Sequence, residues 1–430
     1  MVRVPNGLCQ QRDGVAVSSS GELEAVHAGR LYTREPMAKR VFATVKPEIL
    51  VWARTSAGFT PESAAKSLKI DAEMLAQWEQ EGDKRPSVPQ LRSLASLYRR
   101  PLAVFYLQEV PLRFQVLSDL RRAILGEERS YSPALTQEIR SAQQRRELAR
   151  ELGNGLGEET KPYQFRLAPV GAEEAGAAIR EFLGITVEEI LQFGRDPAGR
   201  AGFNTWRAAI ERSGVLVFQS ARIAQGEASG FALAYDSAPV IVVSRKDVPQ
   251  RRLFSLLHEF AHVALRESGV SDLKLDKAQV AEDPDLELRC NSIASAALMP
   301  MTSVLAELDA SLAADGVVTN EVIVSVARRF GVSRPALLLR LVSARRLTWD
   351  FYFEKVAEYR IEYERERAAR QPMPDMKRNI PQESLSDLGR PFIGLVLGNY
   401  YQRNLTLSDV AGYLGVRVKH VEALQRRMVG

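Results

Sequence analysis

Cysteine is scarce in this sequence: Cys9 and Cys290 are the only two. They sit in segments of unlike character, which excludes a disulfide framework and points to a reducing compartment. No apolar run approaches the roughly 18–20 residues that a bilayer span needs. The N-terminal stretch also lacks the roughly 7–15-residue apolar block of a secretory signal. A cytoplasmic protein with no membrane partner is therefore expected. Charge of one sign is not in large excess, since 58 Lys and Arg oppose 53 Asp and Glu for a net +5. That balance permits nucleic-acid contact without requiring it. With 28 Gly and 21 Pro, collagen-like and wholly low-complexity chains are excluded. There is no nucleotide-binding loop, catalytic serine triad or low-complexity repeat. Histidine numbers only four, so where each one falls carries information.

At roughly 100–200 residues per domain, 430 residues suggest about two to four domains. Residues 1–36 contain Ser18-Ser19-Ser20 and no sustained apolar period, and are expected to be a disordered extension; Met37 would serve as a natural start. From Lys46 to Tyr98 the chain reads as four or five short helices. Thr60-Pro61-Glu62 opens one, and Lys69-Ile70-Asp71 turns into another over Ala72 to Gln80, where Leu75 and Trp78 face inward. Two short helices joined by such a turn make a helix-turn-helix. The stretch from Leu68 to Glu79 resembles the Cro/repressor type. Its second helix offers Ala72, Glu73 and Ala76 where bases would be read, leaving Gln77 as the suitable side chain. Lys66, Lys69, Lys84 and Arg85 are the candidate phosphate contacts. DNA binding through residues 46–100 and docking to a protein both remain open. Beyond Pro111, Ser132 to Glu151 reads as a long, mostly solvated helix, broken by Leu152-Gly153-Asn154-Gly155-Leu156-Gly157.

After two amphipathic helices (Ala172 to Phe182 and Asn204 to Ser213), strands are expected at Val215–Phe218, Gly230–Tyr235 and Pro239–Val243. The last two form a hairpin through Asp236-Ser237-Ala238. The helix that follows carries His258-Glu259-Phe260-Ala261-His262. At 3.6 residues per turn, the two imidazoles project from one face about one turn apart, close enough to share an ion. Such a pattern is expected on the order of 10⁻² times or fewer in a random chain of this composition. Imidazole nitrogens suit zinc, and three protein ligands leave room for water. Glu259, beside the first histidine, is placed to take that water's proton, so the residues have the form of an H-E-x-x-H hydrolase site.

His27 and His420 are remote, so a carboxylate must complete the set. Glu267 lies on the wrong face of the same helix, and Asp272, Asp276, Glu282, Asp283 and Asp285 read as loop residues. Glu287 opens a second helix, Leu286 to Met299, whose Ala294, Ser295, Ala296 and Ala297 would allow close packing and a rigidly held ligand. Glu287 is the expected third ligand. Asn291, one turn later, either orients a ligand or is a packing amide. Cys290 reads as a small buried residue.

His258-Glu259-Phe260-Ala261-His262, followed by Glu287-Leu288-Arg289-Cys290-Asn291-Ser292-Ile293-Ala294 and Leu298-Met299-Pro300, resembles the ImmA/IrrE family of zinc metallopeptidases. Trp206 to Glu211, Gly230 and Pro239 to Val242 match its usual layout, and the resemblance spans about residues 170–345. It implies zinc held by His258, His262 and Glu287, with Glu259 as base. It also implies a protein substrate of the kind family members commonly cut, a cytoplasmic DNA-binding repressor, in the control of stress-response or mobile-element genes. The alternative is a DNA-binding regulator whose zinc fold is a sensor or docking scaffold with little hydrolysis.

The expected fold is α+β and mainly helical. It has an N-terminal helix-turn-helix bundle (37–111), a helical linker (112–169), a zincin-like peptidase domain with a small β-sheet (170–348) and a C-terminal helical region (349–430). Two further helix-turn-helix-like patterns occur, at Val322 to Leu341 and at Leu405 to Leu424. In the second, Arg417, Lys419, Arg426 and Arg427 could meet phosphates, but protein docking fits equally.

Overall fold

The apolar runs between Leu216 and Ser244 are buried on both sides, and this arranges the rest of the molecule. The computed structural model describes residues 41–82, 84–111, 131–158, 161–196, 198–224, 226–271, 284–312, 316–369 and 378–429. The expected disordered extension, 1–36, lies outside them. β1 (Leu216–Ser220), β2 (Gly230–Leu233), β3 (Val240–Ser244) and β4 (Gly269–Ser271) form one sheet in the order β1-β3-β2-β4. β1 runs parallel to β3, with Leu216 opposite Val240, while β2 is antiparallel to both β3 and β4. Successive side chains point to opposite faces of a strand. Val217, Ala232, Ile241 and Val243 thus enter one core, and Phe218, Phe231, Val240 and Val242 enter another. Burial on both faces explains why the strands read as continuous apolar runs rather than as alternation.

Eighteen α-helices are assigned among the described residues. The N-terminal group is α1 (Pro47–Ser56), α2 (Pro61–Leu68), α3 (Ala72–Trp78) and α4 (Val88–Tyr98). It closes over its own core of Ile49, Leu50, Leu75, Leu91, Tyr98 and Phe105. Thr60 accepts a hydrogen bond from Ser63 N at the start of α2, Lys69 ends that helix at φ 55°, and Asp71 accepts from Glu73 N to start α3. These caps satisfy helix-end groups that a connection of this length would otherwise leave exposed. The nearly buried Arg54–Glu79 pair, at 2.8 Å, ties α1 to the end of α3.

On one side of the sheet lie α6 (Ala172–Leu183), α7 (Val187–Ile190), α8 (Ala201–Arg212), α9 (Pro249–Leu265), α10 (Pro284–Leu298), α11 (Met301–Ser311), α12 (Asn320–Phe330), α13 (Arg334–Ser343) and α14 (Trp349–Ala369). On the other side lie α5 (Pro133–Gly155), α15 (Ile380–Leu388), α16 (Arg390–Tyr401), α17 (Leu407–Tyr413) and α18 (Val421–Val429). No single described helix is long and apolar enough to cross a membrane.

The expectation of a mostly solvated helix at 132–151 is wrong. Leu135, Ile139, Ala142, Ala149 and Leu152 of α5 are buried against the sheet and α16. The seam is completed by alanines and by the stem of Arg146, so counting leucine and isoleucine alone understates it. Nor do Gly153 and Asn154 break the helix, which continues to Gly155. A Cβ on Gly155 would lie 2.8 Å from Asn399 Oδ1, so glycine there allows a close approach of α16. Asn399 Nδ2 donates to Leu152 O at 2.9 Å beside it.

Phe392 anchors α16 to the sheet, 1% exposed and edge-on to Phe218 at 5.6 Å between ring centres. Phe392→Ala is expected to cost about 3–5 kcal/mol in chemical denaturation, while Phe353→Ala, at an exposed position, should stay within about 0.5 kcal/mol. Equal effects would mean that α16 does not close this core.

Candidate metal centre

α9 begins with Pro249 in its first turn, where a missing N–H costs nothing, and Arg266 at φ 64° ends it. Every residue from Ser255 to Ala264 is buried. Leu256, Leu257, Phe260 and Ala261 supply the apolar contacts, and His258, Glu259 and His262 are buried among them with no exposure. Polar groups so placed are costly unless they meet partners of matching chemistry.

The partners come from α10. Its Gly-and-alanine contact with α6 fixes its position: a Cβ added at Gly176 would fall 2.6 Å from the backbone of Ala296. Arg180 Nη1 donates to Ala296 O at 2.7 Å across the same seam. The small residues of α10 thus perform the close packing expected of them. Glu287, in the first turn of α10, brings Oε2 to 3.1 Å from His258 Nε2 and Oε1 to 3.2 Å from His262 Nε2. The two Nε2 atoms are themselves 3.2 Å apart. One donor atom from each of the three residues can be chosen so that all lie within 4.8 Å of one another.

Asn291 sets the tautomer of His258. The imidazole Nδ1–H donates to Asn291 Oδ1 at 2.9 Å, leaving the lone pair on Nε2, toward Glu287 and His262. Burial holds the His258 pKa below its ordinary value of 6.5, opposed by the neighbouring Glu287 carboxylate. Burial would raise the Glu287 carboxyl, but the two imidazoles facing it hold it at about 2. A neutral imidazole and an ionised carboxylate are the forms that bind metal. Electron-rich atoms at contact distance repel unless a proton or a cation lies among them. Two imidazoles and a carboxylate are a zinc-type donor set, so the residues fit a single zinc ion. Glu259, next in sequence to the first imidazole, lies against β2. A Cβ at Gly230 would come within 3.0 Å of its Oε1, so the missing side chain makes room for that carboxylate.

The structure therefore brings together His258, His262 and Glu287, with Asn291 behind them. Cys290 is buried, its thiol pushed up in pKa by burial and then by Glu287. Glu267 falls just beyond α9, exposed. Asp272, Asp276, Glu282 and Asp283 lie outside the described residues. That Gly230 makes room for Glu259 is not visible in the sequence, where it is a glycine opening a strand within the stretch that matches the family's layout. Elsewhere, Lys66, Lys69, Lys84 and Arg85 are exposed, and Lys84 Nζ donates to Gln77 Oε1 at 2.9 Å. Arg417, Lys419 and Arg426 are exposed at the C-terminal end, with Arg427 half-buried.

Removing the amide of Asn291 should leave His258 free to rotate and change tautomer. Asn291→Ala is expected to weaken zinc affinity about 10–100-fold in a chelator competition, with helical content unchanged by circular dichroism. Unaltered affinity would make that amide a packing group only.

A family model described as Peptidase_M78, IrrE N-terminal-like domain, matches residues 210–342. The matched region takes in the sheet, α9 and α10, and it supports a metallopeptidase-family function and an ImmA/IrrE-type peptidase domain. No curated protein matches the chain.

Proposed function

We propose that this protein is a cytoplasmic zinc-dependent endopeptidase that hydrolyses a peptide bond in a DNA-binding repressor, and so controls gene expression. The single observation that carries the reading is the convergence of His258, His262 and Glu287 from two helices, with Glu259 beside the first of them. The family match over 210–342 supports the hydrolase class.

Zinc bound there would polarise the scissile carbonyl and make a water more acidic. The chain's own groups do the rest. His258, held by Asn291, and His262 would offer imidazole nitrogens to the ion, and the ionised Glu287 supplies the one negative charge of the ligand set. Glu259 accepts the proton of the attacking water and delivers it to the leaving amine. Its carboxylate is fully buried beside the histidines. Gly230 keeps the space in which that carboxylate sits.

Glu259→Gln separates hydrolysis from scaffolding, because glutamine keeps the shape of the side chain and loses its basicity. The variant should bind zinc as the parent does and cleave a co-transcribed repressor at least about 10²-fold more slowly, followed by gel electrophoresis. Cleavage at the parental rate, or no cleavage by either protein with a phenotype that survives the substitution, would favour a sensing or docking scaffold.

The N-terminal helices α1 to α4 are proposed to position the enzyme on DNA or on a DNA-bound substrate through Lys66, Lys69, Gln77, Lys84 and Arg85. These contacts are mainly to phosphates, so a gel shift at low salt should vanish at high salt. Lys66→Ala with Lys69→Ala should lower the salt slope by about 2. No shift even at low salt would assign these helices to protein docking.

A further inference from the structure

A cavity of about 660 Å³ lies away from the candidate metal centre, where the C-terminal helices meet α8 and the start of α9. Its wall carries five arginines, Arg200, Arg207, Arg245, Arg252 and Arg390, against two carboxylates, Glu211 and Glu383. Both carboxylates are committed. Glu211 accepts from Arg207 at 2.8 Å, and Glu383 accepts from Arg378 at 2.6 Å and lies 3.7 Å from Arg245. Arg207 is committed as well, donating to Ser386 O and Val217 O, and it pins α15 to β1. Arg245 is shared with Asp387 at 3.2 Å.

Three guanidiniums remain without an acidic partner, although Arg390 Nη1 donates to Met428 O at 3.0 Å. Among the described residues Arg200, Arg252 and Arg390 have no carboxylate within ion-pair distance. Arg252 donates to Gln219 Oε1 at 2.8 Å, yet its buried Nε has no hydrogen-bond partner. Burial and then the neighbouring Arg200 lower the Arg252 pKa, with Asp247 opposing and Arg245 and Arg207 adding to the repulsion. Like charges crowded into a concave, partly desolvated wall are a stored electrostatic cost that a bound anion would relieve. The backbone agrees in position: Gln219 lies next to the last residue of β1, Arg245 follows β3, and these parallel strands point their carboxyl ends at the cavity, the usual place for a ligand in such sheets. α9 also starts there, with Pro249 and Arg252 in the wall, so its positive dipole end adds to the same field.

We propose that this cavity is a binding site for a small phosphate-bearing molecule, held by Arg200, Arg252 and Arg390. Planar guanidiniums suit phosphate oxygens, which accept two parallel hydrogen bonds, and the volume suits a metabolite rather than a macromolecule. The position gives the site a consequence. Pro249 and His258 are on one helix, about 13–14 Å apart along its axis at 1.5 Å per residue. An occupant would bridge the root of the metal-centre helix to α15 and α16, binding the two sides of the sheet together. The proposal does not depend on the peptidase reading.

The test is calorimetric titration of the full-length protein with inorganic pyrophosphate at fixed ionic strength, with succinate as a carboxylate comparison. Saturable binding of one pyrophosphate per chain is expected. Arg200→Gln combined with Arg252→Gln should weaken it about tenfold or more. Arg200→Gln alone, at an exposed position that keeps the fold, should weaken it in the same direction. Binding should survive His262→Ala, which disables the metal centre, and Lys66→Gln with Lys69→Gln. Loss with His262→Ala would place the anion on the metal centre, and loss with the lysine pair would place it on the N-terminal helices; either overturns the proposal. So would the absence of saturable binding, or binding of succinate in preference to pyrophosphate.

Discussion

Three polar side chains on consecutive turns of α9 are taken wholly out of water, and the surrounding structure is arranged to make that tolerable. An imidazole or carboxylate in an apolar core is stable only when fixed partners meet it. Those partners, Glu287 and Asn291, are one turn apart on α10 and reach the imidazoles only if the two helix axes approach closely. The alanines of α10 and Gly176 of α6 permit that approach, and Arg180 holds the far end of α10 by its carbonyls. The requirement passes from two histidines to a neighbouring helix and from there to a glycine more than eighty residues earlier in the chain.

The sheet gives α9 its other wall. Its strands are apolar on both faces, so a second layer must cover the side away from the metal centre, and α5 with α15 to α18 does so. Arg207 and Glu211 sit where the layers meet. Gly389, at φ 78°, lies so close that an added Cβ would fall 2.4 Å from Glu211 Oε1. The C-terminal helices are therefore seated on the same elements that position the candidate ligands, and the arginine cavity is a by-product of that seating.

The histidine pair and Glu259 were legible because helical spacing alone fixes which side chains share a face. Glu287 was legible because it opens a helix of small residues, and Asn291 because it follows one turn later. What escaped depends on distant partners. β4 is three residues long and exists through its pairing with β2, so no local pattern marks it. The burial of α5 is completed by alanines and by Arg146, residues that a search for leucine stripes passes over. The arginines of the cavity come from separate stretches between Arg200 and Arg390, and no spacing joins them before the chain folds.

α5 has a further property that follows from its contacts. Near its start, buried Thr136 meets Gly58, whose φ of 76° and lack of a side chain allow the N-terminal helices to approach within contact. In its middle, Arg146 donates to Ser237 O at 2.8 Å and stacks over Tyr235 at 3.8 Å, reaching the β2–β3 hairpin. Near its end, Leu152 O accepts from Asn399 of α16. Buried Glu138 pairs with Arg145 of the same helix at 3.1 Å and with Arg222, outside it, at 3.4 Å, and the second pair ties the helix to the segment after β1. A 23-residue helix is about 34 Å long and stiff over that length. Contacts at both ends and in the middle join the N-terminal helices, the sheet and the C-terminal layer to a single rigid element.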